Sequence, residues 1–335
     1  MINLLFRKDD SNRILRAITY AVNSAFSDMT QNEPQLVANL VCLLPRYINR
    51  IAQSNNIRIS VNGAFVHALP LVICKTFPDK IPGSVEIGDL LLLQTMVSND
   101  RITKQNALLL QAKKGNKYSK ADNKNQWHLY SNWPPFIYGR RSGYLMGEQR
   151  YICEPDMYDA AKYLFINGAG CAEQYELEKV ELRHQIRCDN CGLLTAQPTT
   201  PKLSRHQCFI HELFNFIQGN AGKPYDTSRL GKGGWDQVVN DLISATKDRV
   251  SVFTDRASAS FDAMTFQKSG VFLAGASSKH SLLKECYDMQ SSHNFSDHNS
   301  NDGPPNFDGG WPEEPDYPED SGGVSIVEFI VNAEE

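Results

Sequence analysis

Three polar residues stand where two apolar runs end. Asp89 precedes Leu90-Leu-Leu-Leu, and Gln111-Ala-Lys113 follows Ala107-Leu-Leu-Leu. A carboxylate and an amide carbonyl are hard oxygen ligands of the kind magnesium takes. A lysine beside them can orient or deprotonate a water and stabilise negative charge that develops on oxygen. Together they could hold a divalent cation next to a phosphodiester and activate water against it. An uncompensated carboxylate at the head of a wholly apolar run is costly, and a nearby cation or amine removes that cost. Residues i and i+2 of a strand share a face, so Gln111 and Lys113 project together.

The elements that must position them can be read outward from this point. Residues 85–97 read as one strand and residues 107–113 as its returning partner, with a short polar connection at Ser98-Asn-Asp. Their near-continuous apolar character predicts central strands covered on both faces, within a mixed sheet. Unbroken alternation from Val85 would turn Glu86 to the opposite face, so Asp89 is the preferred ligand. Upstream, residues 13–26 and 32–53 read as helices, the second from the spacing of Leu36, Val37, Leu40, Val41 and Leu44. Pro34 suits its first turn, and Pro45 should kink it. Glu33 heads this helix; it follows Thr30 by three, so a capping box competes with any role at a site. Short strands are expected near residues 57–61, 64–68 and 71–74, and a short helix near 125–132, ended by Pro134-Pro135.

This order of helix, strands and hairpin, with Asp89 inside Glu86-Ile-Gly-Asp89 and Gln111-Ala-Lys113 on the returning strand, resembles the PD-(D/E)XK nuclease superfamily. The Gln-x-Lys pair resembles its Mrr-like variant in particular. The resemblance covers roughly residues 30–140. It implies an α/β, restriction-endonuclease-like core with a central mixed sheet flanked by helices. It also implies Mg2+ or Mn2+ held by Glu33, Asp89 and the Gln111 carbonyl, with Lys113 positioning the attacking water. Glu33 matches the glutamate that such families take from a preceding helix. The implied activity is an endonuclease that prefers DNA to RNA, of a kind that serves restriction and phage defence. Gln111 brings a neutral oxygen where many members carry a carboxylate, which lowers the charge of the site and weakens its hold on a cation.

The remaining sequence bounds the class. Of 335 residues, 41 % are apolar and 21 % charged, enough for a sizeable core. The longest apolar runs fall short of a membrane span, and Arg7-Lys-Asp-Asp brings charge too early for a secretory leader. A cytoplasmic chain without a membrane partner is expected, its eight cysteines being thiols or metal ligands. The formal charge of −4 hides an asymmetry: residues 288–335 hold 12 Asp and Glu and no Lys or Arg, leaving 26 acids against 34 Lys and Arg elsewhere. A basic body suits a polyanion such as nucleic acid, and an acidic tail could compete for that surface. Lys114, Lys117, Lys120 and Lys124, with Arg140 and Arg141, would hold phosphates without reading bases. Trp127, Tyr130 and Trp133 could stack on bases, although packing accounts for at least two of them.

A second constellation is Cys188-Asp-Asn-Cys191 with Cys208-Phe-Ile-His211, whose spacing matches a structural zinc site; His206 is an alternative fourth ligand. Against zinc, Cys208 and His211 fall at the start of an apparent helix, and unligated thiols are the competing reading. Leu230-Gly-Lys-Gly-Gly lacks the phosphate-loop spacing, and no Gly-x-Ser-x-Gly elbow occurs. The expected organisation is a nuclease-like core over residues 1–150, a mostly helical accessory region over 151–287, zinc-stabilised if the site forms, and an acidic, largely disordered tail over 288–335. The tail's last apolar stretch would return as a strand or act as a docking peptide. The lack of a motor motif or base-reading module leaves room for a recruiting or activating protein, and for self-association. A non-catalytic scaffold on the same fold is the rival reading.

Overall fold

The computed structural model describes residues 6–55, 57–67, 70–80, 83–114, 123–140, 142–152, 157, 159–166, 193–198, 203–229, 234–257, 271–275, 278–292 and 323–332. Two helices come first, α1 (Lys8–Ala25) and α2 (Glu33–Asn55). Five strands follow: β1 (Ile59–Val66), β2 (Leu71–Ile73), β3 (Ser84–Glu86), β4 (Leu90–Ser98) and β5 (Arg101–Lys114). Next come α3 (Lys124–Asn132), β6 (Phe136–Tyr138), β7 (Gln149–Arg150), β8 (Ala161–Ile166), β9 (Leu193–Pro198) and β10 (Leu203–Cys208). The last are α4 (Phe209–Ile217), β11 (Lys223–Pro224), α5 (Gly234–Ala257), β12 (Val271–Ala274), α6 (Lys284–Ser292) and β13 (Ser325–Asn332).

The main sheet is mixed, as its apolar central runs predict. Its order is β10-β9-β8-β5-β4-β13-β1-β12, with β11 added beside β5. A four-stranded antiparallel sheet, β3-β2-β6-β7, lies apart from it. Side chains alternate between two cores. Leu90, Leu92, Leu108, Leu110 and Ala112 pack with α1, α2 and α4 on one face. Leu91, Leu93, Ala107 and Leu109 pack with α3, α5 and the smaller sheet on the other. The chain is therefore α/β, with helices on both faces of a mixed sheet. Among the described residues no helix is long and apolar enough to cross a membrane.

The hairpin that carries the candidate residues forms. Leu90 pairs with Leu110, and pairing continues to Ser98 and Arg101 with one irregularity after Met96. Asn99 and Asp100 have φ of 51° and 60°, the two-residue turn whose twist suits a hairpin. The expected single strand over 85–97, however, is two. β3 pairs with β2 in the smaller sheet, and β4 joins the main sheet only from Leu90. Gly88 sits in the crossing. A Cβ there would come within 2.6 Å of Leu109 Cδ1 and 3.1 Å of the Tyr130 hydroxyl, so a larger residue would have to push the Leu109 side chain aside.

The sheet does not follow the three-part division read from the sequence. Strands from 161–166, 193–198, 203–208 and 271–274 extend it, so among the described residues the stretch expected to be mostly helical supplies five strands, counting β11. Long-range pairing overrides local helical pattern there. The terminal apolar stretch is a strand in the middle of the sheet, parallel to β4 and antiparallel to β1. The acidic stretch 293–322, read as disordered, lies outside the described residues.

One carboxylate is sealed beneath this strand. Glu328 of β13 has no solvent exposure and accepts from Ser281 Oγ at 2.6 Å and from the Leu282 N–H at 2.8 Å. Burial raises its pKa above the ordinary carboxylate range, and these donors only partly oppose it. The folded chain thus holds this proton more tightly than the unfolded chain. The associated stability is present below the unfolded value and lost as pH rises through the raised one. Glu328→Gln keeps an acceptor for Leu282 and removes the titration. Its melting temperature should gain on the parent as pH rises from about 4.5 to about 7.5; a difference independent of pH would refute this account.

Candidate functional site

Cross-strand register brings the first two residues together. Continuing the Leu90–Leu110 pairing by one step sets Asp89 opposite Gln111, and the Asp89 N–H donates to Leu110 O at 2.9 Å. Gln111 Nε2 donates to Asp89 Oδ2, and the Ala112 N–H donates to the same oxygen at 2.7 Å. Lys113 lies two residues on from Gln111, on the same face, and its charge acts on both Asp89 and Glu33.

Glu33 arrives from the other side of the sheet's end. The capping box at the head of α2 is made by Asn32 and Gln35, whose N–H groups exchange bonds with the partner side chains at 3.0 and 3.1 Å. Thr30 bonds Asp28 instead. Glu33 is thereby released from the capping role, and its Oε2 accepts the Lys114 N–H at 2.8 Å. Lys114 Nζ donates to Gln31 O at 2.5 Å, which fastens the end of β5 to the loop before α2.

Two residues that the sequence reading passed over belong here. Glu86 of β3 lies near enough that its charge raises the pKa of both Asp89 and Glu33. Gln126 of α3 is 2 % exposed and donates from Nε2 to Gln111 Oε1 at 2.5 Å and to Glu86 O at 3.3 Å. Its signal was present: Gln126 falls on the helix stripe of Leu129, Tyr130 and Trp133, where an amide is out of place unless it has a partner. The Tyr130 hydroxyl donates to Ile87 O at 2.8 Å and so pins the crossing.

The electrostatics follow from crowding. Asp89, Glu33, Glu86 and Lys113 each keep part of their surface open to solvent. Protein atoms nevertheless desolvate the Asp89 carboxyl and push it well above its usual range; Glu86 and Glu33 add to this, while Lys113 and the Ala112 N–H oppose it. Glu33 is raised mainly by desolvation, with Lys113 opposing. Asp89, raised by the charges of Glu86 and Glu33, and Glu33, raised by that of Glu86, favour a proton or a cation near them. In kind the donors suit a hard divalent ion: carboxylates from Glu33 and Asp89, with the Gln111 amide beside Asp89. Among the described residues no three His, Cys, Asp or Glu side chains meet at ligating distance, and Gln111 presents its N–H end to Asp89.

The supporting surfaces divide. Lys124 and Arg140 are exposed, Lys124 lying 3.9 Å from Asp79, while Lys117, Lys120 and Arg141 fall outside the described residues. The aromatics of α3 face inward. Trp127 stacks on Tyr163 with ring centroids 6.2 Å apart, Tyr130 stacks on Trp133 at 5.7 Å, and Trp133 meets Trp235 edge-on at 6.0 Å. Tyr130 and Trp133 are buried, so base stacking by them is replaced by packing. Cys188 and Cys191 lie outside the described residues. Cys208 is the N-cap of α4, and His211 sits in its first turn, its imidazole pKa lowered by burial.

Compared with known protein families, with curated proteins and with solved structures, the chain matches none of them.

Proposed function

We propose that this chain is a divalent-metal-dependent endonuclease, built on a PD-(D/E)XK-like core and acting on nucleic acid, DNA ahead of RNA. The observation that carries this reading is the meeting of Asp89 and Gln111 across one hairpin, with Lys113 on the same face and Glu33 brought to the same end by α2. Glu33 and Asp89 would hold Mg2+ or Mn2+, and the bound ion would supply a Lewis acid and an acidified water. Lys113 would orient that water and offset charge on the phosphate. Lys124 and Arg140 would hold the nucleic-acid backbone.

A non-catalytic scaffold is the second reading, favoured by the closed Asp89–Gln111 hydrogen bond and the absence of a ready-made ligand cluster among the described residues. Incubating the chain with plasmid, linear duplex and single-stranded substrates in Mg2+, Mn2+ or chelator separates the two. Lys113→Ala should lower cleavage by ~10²- to 10⁴-fold while leaving nucleic-acid affinity within a few-fold. No metal-dependent cleavage by the unsubstituted chain on any substrate would sink the enzyme reading.

A further inference from the structure

Gln126 has an oxygen with nothing to do. Its Nε2 serves Gln111 Oε1 and Glu86 O, whereas its own Oε1 is buried without a hydrogen-bond partner. A buried orphan of this kind is costly in a well-packed site. Gln111, 0 % exposed, is committed at both ends: Nε2 to Asp89 and Oε1 to Gln126. That orientation closes Asp89 Oδ2, the oxygen facing Gln111, to a cation, because an N–H repels what a carbonyl oxygen would attract.

The two ends of an amide exchange by a half-turn about its last bond. If Gln111 turns, Oε1 comes beside Asp89 and Nε2 faces Gln126, where an acceptor is then required. Gln126 can supply one, because its own half-turn presents the idle Oε1. Resting on the nuclease reading above, we infer that Gln126 is a positioning residue. The paired turn of Gln111 and Gln126 converts Asp89–Gln111 from a closed hydrogen-bonded pair into two oxygens offered to a divalent cation. In the turned state Gln126 gives up its bond to Glu86 O and sets oxygen against oxygen there. The closed state therefore holds without the ion, and attraction between the ion and Gln111 Oε1 tips the balance.

Titrating the full chain with Mn2+ by calorimetry tests this apart from any turnover. Gln126→Leu removes the acceptor that the turned Gln111 needs, so Mn2+ should bind ~10- to 100-fold more weakly, as for the loss of a group that orients a ligand. Cleavage at saturating metal should fall much less than cleavage at low metal. Gln126→Glu can only accept and suits only the turned state, so it should bind Mn2+ at least as tightly as the parent. A purely structural role would lower stability in both variants without splitting metal affinity between them. If Gln126→Leu does not fold, the Gln126→Glu measurement decides alone, and weakened binding in it overturns the inference. Parent affinity retained by folded Gln126→Leu overturns it too, leaving the nuclease reading intact. A parent chain that neither binds Mn2+ nor cleaves overturns both.

Discussion

Asp89→Asn should abolish metal-dependent cleavage and, in the same chain without metal, raise the melting temperature. Both effects come from one carboxylate. Its charge is the first thing a divalent ion would require at this hairpin, and its loss should cost ~100-fold or more in cleavage. The same charge is a burden to the metal-free fold, since desolvation and the nearby Glu86 and Glu33 all push the Asp89 pKa upward. An asparagine keeps the shape. Its Oδ1 can stand where Asp89 Oδ2 does and accept from both the Ala112 N–H and Gln111 Nε2, so neither Gln111 nor Gln126 has to turn. No new orphan is made, so a gain of ~1 kcal/mol, or about 2 °C for a chain of this size, is expected. The sign with pH is fixed. Asp89 titrates in the folded chain above its unfolded value, so the parent loses stability as pH rises through the raised value. The advantage of Asp89→Asn should therefore be larger near pH 8 than near pH 5. Calorimetric melts in chelator at the two pH values, paired with cleavage assays in Mg2+, measure both halves. A variant that cleaves like the parent, or that melts several degrees lower, would contradict this account of the site.

The hairpin was legible because its cause is local. Two apolar runs joined by Ser98-Asn-Asp leave the chain little choice, and period two then sets Gln111 and Lys113 on one face. The stripe of Leu36, Leu40 and Leu44 made α2 legible in the same way, and each of these leucines is fully buried. The crossing between the two sheets at Ile87–Asp89 was not, because residues 85–97 read as one strand-like stretch whether they serve one sheet or two. Gly88 was the only mark of it. Other features depend on partners far away in sequence. Lys162 and Glu212 form a buried ion pair at 2.6 Å with Thr195 hydroxyl support, and 50 residues separate the two charges. Arg150 pairs with Asp241 across 91 residues. Such pairs need excellent geometry to offset desolvation, and nothing in spacing or composition announces them.

The clearest case of distant control is β13, and cutting the chain after residue 322 should leave the remainder unable to fold cooperatively. Val324, Ile326, Val327, Phe329, Ile330 and Val331 have no solvent exposure. At ~1.5–3 kcal/mol for each buried side chain, their loss removes ~10 kcal/mol or more, as much as the whole net stability of an ordinary domain. Hydrogen bonding adds to this. β13 pairs along its full length with β4 on one side and over six residues with β1 on the other, so truncation strips two internal strands of their ladders. Its head is tied to α5 by Val324, whose N–H donates to Thr246 Oγ1 at 3.0 Å and whose carbonyl accepts from that hydroxyl at 2.7 Å. Circular dichroism and thermal melts of the shortened chain should show no two-state transition, and Mn2+ binding should vanish with it. Phe329→Ala gives a graded version: that ring meets Phe216 edge-on at 6.0 Å, and its removal should cost ~3–5 kcal/mol while leaving the chain folded at low temperature. A shortened chain that melts like the parent would show that β4 and β1 close on each other without the strand between them. Otherwise the consequence reaches the site, because β13 separates the strand headed by Asp89 from the one that follows the helix bearing Glu33. Metal affinity and the folding of the last eight-residue strand should then be lost together along a denaturant series.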